Sequence, residues 1–160
     1  MTDRWVINAS PLILLGKAGQ LEWVPRLGTV VIPQSVADEI IAGPADDPAR
    51  RWVEGDGCAF IKPDVPASDA LLAWDLGAGE TAVIAWSVNH PGVEAVLDDG
   101  AARACASVSG IRFRGTLSLV ALAKRRGFIS ACRPVFVSLQ SAGLFVTPAL
   151  IEQVAQAVGE

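Results

Sequence analysis

Short apolar runs alternate with helix-forming segments along this chain, and that alternation constrains the fold more than any other feature. The runs are residues 5–7, 29–32, 58–61, 94–97, 111–114 and 145–147. Helices are predicted to start at Ser10 and near residue 21, and to cover residues 34–41, 48–53, 68–76, 80–89, 101–108, 116–127, 130–142 and 148–158. The predicted N-caps include Ser10, Asp46-Asp47 before Pro48, and Thr116, and the glycines of residues 77–79 break the helix at 68–76. Strands that alternate with helices predict an α/β fold, in which a parallel sheet carries helices on both faces. No repeat or linker interrupts the pattern, so we expect one domain over residues 1–160.

The composition predicts a large buried core. Of the residues, 51% are hydrophobic and the mean hydropathy is +0.40. No stretch reaches the roughly 18 uninterrupted apolar residues of a transmembrane helix. Asn8 and Pro11 interrupt the first apolar run, which argues against a signal peptide. We therefore expect a cytoplasmic protein that makes no contact with a membrane. The three cysteines are far apart, so we expect them to be small core residues.

Polar residues stand where predicted strands end and predicted helices begin. Asn8 follows the first strand, Asp98 and Asp99 follow the strand at 94–97, and Glu39 and Glu80 lie on helices. If the first and fourth strands are neighbours, these side chains meet at the carboxyl edge of the sheet. Oxygen ligands without histidine or cysteine select Mg²⁺ or Mn²⁺, which suits phosphoryl displacement. Helix capping by isolated acids is the alternative reading.

Charge is distributed unevenly along the chain. Residues 1–100 carry 15 acids and 6 bases, whereas residues 101–160 carry 2 acids and 7 bases. A basic segment that follows an acidic one suits a polyanion held beside a cation. A solvated basic face is the competing interpretation, and bases that end a helix also suit its dipole. The bases are Arg103, Arg112, Arg114, Lys124, Arg125, Arg126 and Arg133.

Four short motifs, in this order, resemble the PIN-domain superfamily. They are residues 6–13 (VINASPLI), 77–82 (GAGETA), 97–99 (LDD) with Arg103, and 115–117 (GTL) with 123–127 (AKRRG). Within this superfamily, the motifs look most like those of small bacterial and archaeal proteins described as predicted nucleic acid-binding and related to VapC toxins. The resemblance implies a three-layer α/β/α fold with a mostly parallel sheet. It also implies an Mg²⁺- or Mn²⁺-dependent ribonuclease, held as a toxin by a small antitoxin and often dimeric.

The resemblance also implies roles for individual residues. Glu39, Glu80 and Asp99 match metal-site acids, and Asp98 shares the site or caps a helix. Thr116 matches a hydroxyl residue that helps to position the site. Ser10 matches the polar residue after the first motif. Nucleic acid would be bound by Ser10, Arg103, Arg112, Arg114, Lys124, Arg125 and Arg126.

Asn8 departs from the pattern, because a typical nuclease of this kind has aspartate there. An amide oxygen can still bind Mg²⁺ or orient a water, but one negative charge is lost, so the expected metal affinity falls. The alternative is therefore a PIN-like nucleic-acid-binding or interaction module with little or no turnover. A third possibility is a structural partner that dimerises through apolar helices, which exposed Trp23, Trp52, Trp74 or Trp86 would support.

Overall fold

The computed structural model describes residues 3–160, which form a five-stranded parallel sheet flanked by helices. The strands are β1 Arg4–Ile7, β2 Thr29–Pro33, β3 Ile61–Lys62, β4 Glu94–Val96 and β5 Phe113–Arg114. The helices are α1 Ala9–Lys17, α2 Val24–Leu27, α3 Gln34–Ile41, α4 Pro48–Glu54, α5 Asp69–Leu72, α6 Ala78–Asn89, α7 Gly100–Val108, α8 Thr116–Arg125, α9 Arg133–Ser141 and α10 Pro148–Ala157. The three-layer α/β/α prediction is confirmed.

The central strand β1 lies at the middle of the core. Val6 is aligned with Val31 of β2 on one side and with Ala95 of β4 on the other. Trp5, Val6 and Ile7 are all buried. A parallel strand covered on both faces needs a continuous apolar run, and this explains why these runs do not alternate with polar residues.

The sheet order β3-β2-β1-β4-β5 places a reversal of the chain path between β1 and β4. Strands are added outward from β1 to β3, and the chain then returns to the other side of β1. Such a switch point leaves a crevice outside the carboxyl ends of the two strands. The backbone N–H of Asn8 donates to the carbonyl of Val96 at 3.2 Å, so the ends of β1 and β4 are joined there. The first and fourth strands are therefore neighbours, which is the condition under which the polar side chains after them were predicted to meet.

One predicted strand is shifted along the chain, and another is absent from the described residues. Residues 56–60 form a 3₁₀ turn, in which the N–H of Cys58 donates to Gly55, and pairing begins only at Ile61. The run 145–147 forms no strand, because it lies between α9 and α10 and pairs with no described strand. Aromatic and β-branched residues favour a strand only where a sheet edge is within reach.

Several helix boundaries also differ from the prediction. The helix expected over 68–76 ends at Leu72, and Asp75 then adopts a left-handed φ of 52°. Helix α9 begins at Arg133, three residues later than expected. Helix α6 begins at Ala78, before Glu80, because Gly77 is its N-cap. None of the helices in the described part is long and apolar enough to span a membrane.

Two predicted helix caps are replaced by their neighbours. Asn8, not Ser10, is the N-cap residue of α1, and Gly115, not Thr116, is that of α8. Both Ser10 and Thr116 therefore lie inside the first helical turn. Among the cysteines, Cys105 and Cys132 are buried as expected, but Cys58 is exposed on the 3₁₀ turn.

Candidate metal and nucleic-acid site

Asn8 is buried at the switch point with an unsatisfied oxygen. The residue is 2% exposed, and its Nδ2 donates to Oε1 of Glu80 at 3.3 Å. Although it occupies the N-cap position of α1, its side chain makes no capping hydrogen bond. Its Oδ1 is the one buried side-chain oxygen or nitrogen in residues 3–160 without a partner. Such an orphaned acceptor costs about 1–3 kcal/mol, so an additional ligand for this oxygen is expected.

Glu39 and Glu80 converge on the same point from two helices. Glu39 lies on α3 and Glu80 in the first turn of α6. A Cβ at Gly79 would lie 2.6 Å from Oε2 of Glu39 and 3.1 Å from Oδ1 of Asn8. A Cβ at Gly77 would lie 2.5 Å from Oε2 of Glu80. Gly79 therefore leaves room for the oxygens of Glu39 and Asn8, and Gly77 leaves room for the carboxylate of Glu80.

The electrostatics of this cluster favour a cation. Burial of its carboxyl group raises the pKa of Glu39, and the nearby charge of Glu80 raises it further. Neither carboxylate forms an ion pair with a base in the described residues. The N-terminus of α6 and the Asn8 amide offer only partial positive charge. A cation between the two carboxylates would remove this repulsion.

Asp98 and Asp99 are both engaged with backbone groups. Oδ1 of Asp98 accepts from the N–H of Thr116 at 2.9 Å, and its Oδ2 accepts from the Thr116 hydroxyl at 2.5 Å. Oδ2 of Asp99 accepts from the N–H of Ala102 at 2.9 Å and caps α7. In the described residues, no group of three or more His, Cys, Asp or Glu side chains could hold a metal ion. In the structure, the side chains that converge are the carboxylates of Glu39 and Glu80 and the amide of Asn8, whereas Asp98 and Asp99 are held at the starts of α8 and α7.

Arg103 lies beside this second acid pair. Its Nε donates to the carbonyl of Leu97 at 2.8 Å, and its guanidinium lies over the ring of Phe113. A Cβ at Gly115 would lie 2.7 Å from Nη2 of Arg103 and 2.9 Å from Oδ1 of Asp98. Gly115 therefore allows the acid and the base to approach α8 closely. The terminal nitrogens of Arg103 have no hydrogen-bond acceptor within residues 3–160.

The remaining predicted nucleic-acid-binding residues fall into two groups. In the first group each base has an acidic partner: Arg114 pairs with Glu94, Lys124 with Glu160 and Arg126 with Asp3. In the second group, Arg112 and Arg125 are exposed and form no ion pair with a described residue. Ser10 is exposed in the first turn of α1. The structure thus leaves Arg103, Arg112 and Arg125 with donors available to a ligand.

The donor set fits a hard divalent cation. Two carboxylates and an amide oxygen are the ligand types that Mg²⁺ and Mn²⁺ prefer. A cavity of about 360 Å³ opens beside them, lined by Ser35, Asp38, Glu39, Gly77, Ala78 and Gly79. The contribution of Gly77 and Gly79 was not anticipated from the sequence, where the pair was interpreted as a helix break. Its signal was the spacing of two glycines immediately before Glu80.

Fold and site together define a class: a parallel α/β domain with an acidic site at its switch point. Residues 4–160 match the family model described as "DUF3368: PIN domain", and the chain belongs to the PIN-domain family. PIN domains are generally nucleases, so a hydrolase role on nucleic acid is supported. No curated protein and no solved structure is significantly similar to the chain.

Proposed function

We propose that this chain is an Mg²⁺- or Mn²⁺-dependent ribonuclease. The observation that carries the proposal is the buried, unpartnered Oδ1 of Asn8, which lies with the Glu39 carboxylate at Gly79, while the same amide is hydrogen-bonded to Glu80. A fold that buries an orphaned acceptor beside two carboxylates is stabilised when a cation binds them all. Membership of a family of nucleases supports the same conclusion.

Each residue of the site has a proposed part. Glu39, Glu80 and Asn8 would hold the metal, which when bound supplies an activated water and charge stabilisation for phosphodiester hydrolysis. Asp99 is proposed as a further ligand, because capping of α7 uses only its Oδ2. Thr116 fixes Asp98 through two hydrogen bonds, and this keeps the Asp98 carboxylate directed toward α8.

The biological setting is part of the proposal. We infer a toxin of the VapC-related kind that acts in the cytoplasm, is held by a small antitoxin and forms a homodimer. Supporting this, Trp74 is 39% exposed and lies beside exposed Val88 and Val108 on one cavity. Trp23 is buried, and Trp52 and Trp86 are partly buried, so Trp74 alone supplies an exposed indole of the kind expected at an interface.

A second candidate function is a binding module that has lost turnover. Its support is the amide at position 8, which brings one negative charge fewer than a carboxylate. In addition, Nδ2 of Asn8 occupies one oxygen of Glu80, so metal binding there must compete with this hydrogen bond. Such a protein would bind RNA without cleaving it.

Cleavage of single-stranded RNA with Mn²⁺, together with calorimetric titration of Mn²⁺, tests the proposal. We expect Mn²⁺ binding, cleavage that stops in EDTA, and loss of both in Glu80→Gln combined with Asp99→Asn. The matched control is Glu22→Gln with Asp46→Asn, two exposed acids outside the site. Cleavage that persists in EDTA, or in the double variant of the site, would show that the proposal is wrong.

A third result separates the two candidate functions. If Mn²⁺ binds and Asn8→Ala weakens that binding, but no RNA is cleaved, the binding module is the better description. Calorimetry of Asn8→Ala therefore accompanies the cleavage assay.

A further inference from the structure

Phe145 is an exposed aromatic side chain that the fold does not use. It is 98% exposed, whereas its neighbours Leu144 and Val146 pack against the hydrophobic core. An aromatic ring held in water forfeits the burial that normally stabilises such a side chain. A ligand that covers the ring would restore that contribution.

The segment that carries Phe145 is fixed at both ends. The N–H of Leu144 donates to the carbonyl of Leu139 at 3.0 Å, which closes the end of α9. The hydroxyl of Thr147 accepts from the N–H of Leu150 at 3.1 Å and caps α10. Because the residues on either side are anchored, the ring is held outward before any ligand binds. A preorganised ring loses little entropy on binding.

Phe145 lines a cavity with a volume of about 440 Å³. The lining of this cavity includes Arg103 together with Asp98 and Gly115, which follow β4 and β5. Apolar side chains of α8 and α10 also line it, and Arg125 adds a positive charge. Arg125 forms no ion pair with a described residue, and the terminal nitrogens of Arg103 lack acceptors there.

We propose that this cavity binds a single-stranded stretch of RNA outside the metal site, with an unpaired base stacked on Phe145 and phosphates on Arg125 and Arg103. Aromatic rings beside a basic groove are the combination that single-stranded nucleic acid requires, since every base has a stacking face and every linkage a negative charge. A duplex keeps its bases stacked on one another and could not cover the ring in this way. The inference rests on the proposed ribonuclease function and adds to it a binding groove outside the metal site.

Binding of a fluorescein-labelled oligoribonucleotide of about ten nucleotides, measured by anisotropy in EDTA, tests the inference. Phe145→Ala should weaken binding about tenfold, the size typical of one stacked base. Phe145→Trp should retain the affinity, whereas Phe145→Leu should lose it, because a leucine is apolar but cannot stack. Val137→Ala on α9, another exposed apolar residue, is the matched control and should change nothing.

Two further measurements separate base stacking from charge. An abasic oligonucleotide of the same length should bind weakly and should not respond to Phe145→Ala. Arg125→Gln should lower the affinity for every sequence and reduce the salt slope by about one.

Several outcomes would overturn the inference. The first is that the oligonucleotide does not bind, and the second is that Phe145→Ala or Phe145→Leu binds it as tightly as the unsubstituted protein does. The third is that a duplex binds as tightly as the single strand. Loss of self-association in Phe145→Ala, with RNA affinity unchanged, would instead assign the ring to a protein interface. The proposed function can fail independently of this inference. If the protein binds no Mn²⁺ but its oligonucleotide binding depends on Phe145, the proposed ribonuclease is wrong and the proposed groove stands.

Discussion

At the scale of single residues, the site is defined by an oxygen without a partner. Asn8 is polar and buried. Its Nδ2 donates a hydrogen bond to the Glu80 carboxylate, whereas its Oδ1 accepts none. The chain order predicted that Asn8 would meet Asp98 and Asp99 at one edge of the sheet if the first and fourth strands were neighbours, with Glu39 and Glu80 reaching that edge from helices. It could not predict which atom would lack a partner, since that depends on side-chain rotamers and on the missing Cβ of Gly79.

Replacing Asn8 by aspartate should lower the stability of the metal-free protein and raise its affinity for metal. In Asn8→Asp the hydrogen bond to Glu80 is replaced by repulsion between two carboxylates, and without metal the protein should be destabilised by about 1 kcal/mol or more. The added charge should raise the affinity for Mn²⁺ on the order of tenfold. Thermal melts with and without Mn²⁺, and calorimetry, measure both effects. Equal Mn²⁺ affinities for the two proteins would exclude position 8 as a ligand.

Glu39 should make the protein less stable as the pH rises. Its pKa in the folded state lies above the ordinary value of 4.5, because burial and the charge of Glu80 disfavour ionisation. The folded form therefore holds this proton more tightly, and its stability falls as the pH rises through the raised pKa. Glu39→Gln should melt at a higher temperature at neutral pH and match the unchanged chain below about pH 4. A variant that melts lower at neutral pH would contradict this, with Glu22→Gln as the control.

At the scale of elements, the joint between β4 and α8 depends on one side-chain pair. The buried hydroxyl of Thr116 donates to Asp98 across 18 residues of sequence. Thr116→Val keeps the shape but leaves the carboxylate short of one donor, and it should cost about 1–3 kcal/mol in urea denaturation. Thr116→Ser retains the hydroxyl and should recover most of that loss. If valine proves as stable as threonine, the bond makes no net contribution.

Glu160, which follows α10, links the end of that helix to α8 and α9. Its side chain accepts from Lys124 Nζ on α8 at 2.8 Å and from the N–H groups of Cys132 and Arg133 at the start of α9. Helix α9 lacks a side-chain N-cap of its own, so Glu160 supplies acceptors from a remote position. These hydrogen bonds, first of all that from Lys124, lower the pKa of Glu160 to about 2.

Acid titration should reveal how the Glu160 carboxylate stabilises the fold. A carboxyl group with a lowered pKa stabilises the fold above its unfolded pKa and loses this effect as the pH falls through the folded value. Glu160→Gln should therefore melt below the unchanged chain at neutral pH, and the gap should close as the pH approaches about 2. A gap of constant size at every pH would show that charge is not involved.

The elements themselves were predictable where local signals agreed. Helix α3 has the predicted bounds, and Asp47 caps α4 with Pro48 in its first position, as expected. The predicted strand at 145–147 failed because strand formation needs a partner, and the sequence does not state which edges of the sheet are open. The Thr116–Asp98 and Glu160 contacts also join distant positions, so they became visible only in the folded chain.

At the scale of the whole molecule, one exposed apolar surface supports the proposed homodimer. Trp74, Val88 and Val108 are 39%, 50% and 76% exposed, and they surround a cavity of about 560 Å³. An exposed patch of this kind marks an interaction site more often than a random surface does. Because α5, α6 and α7 each contribute one side to it, the patch exists only after the chain has folded.

Charge placed on this surface should dissociate the dimer without unfolding the protomer. Trp74→Lys with Val108→Lys should weaken self-association at least about 100-fold in sedimentation velocity, since buried aromatic residues dominate interface energies. Lysine suits position 108 because it ends α7, where a positive charge favours the helix dipole. Val137→Lys on α9 is the matched control, with 62% exposure outside the patch. If the unsubstituted protein stays monomeric at high concentration, or if Val137→Lys dissociates equally, this surface is not the dimer interface.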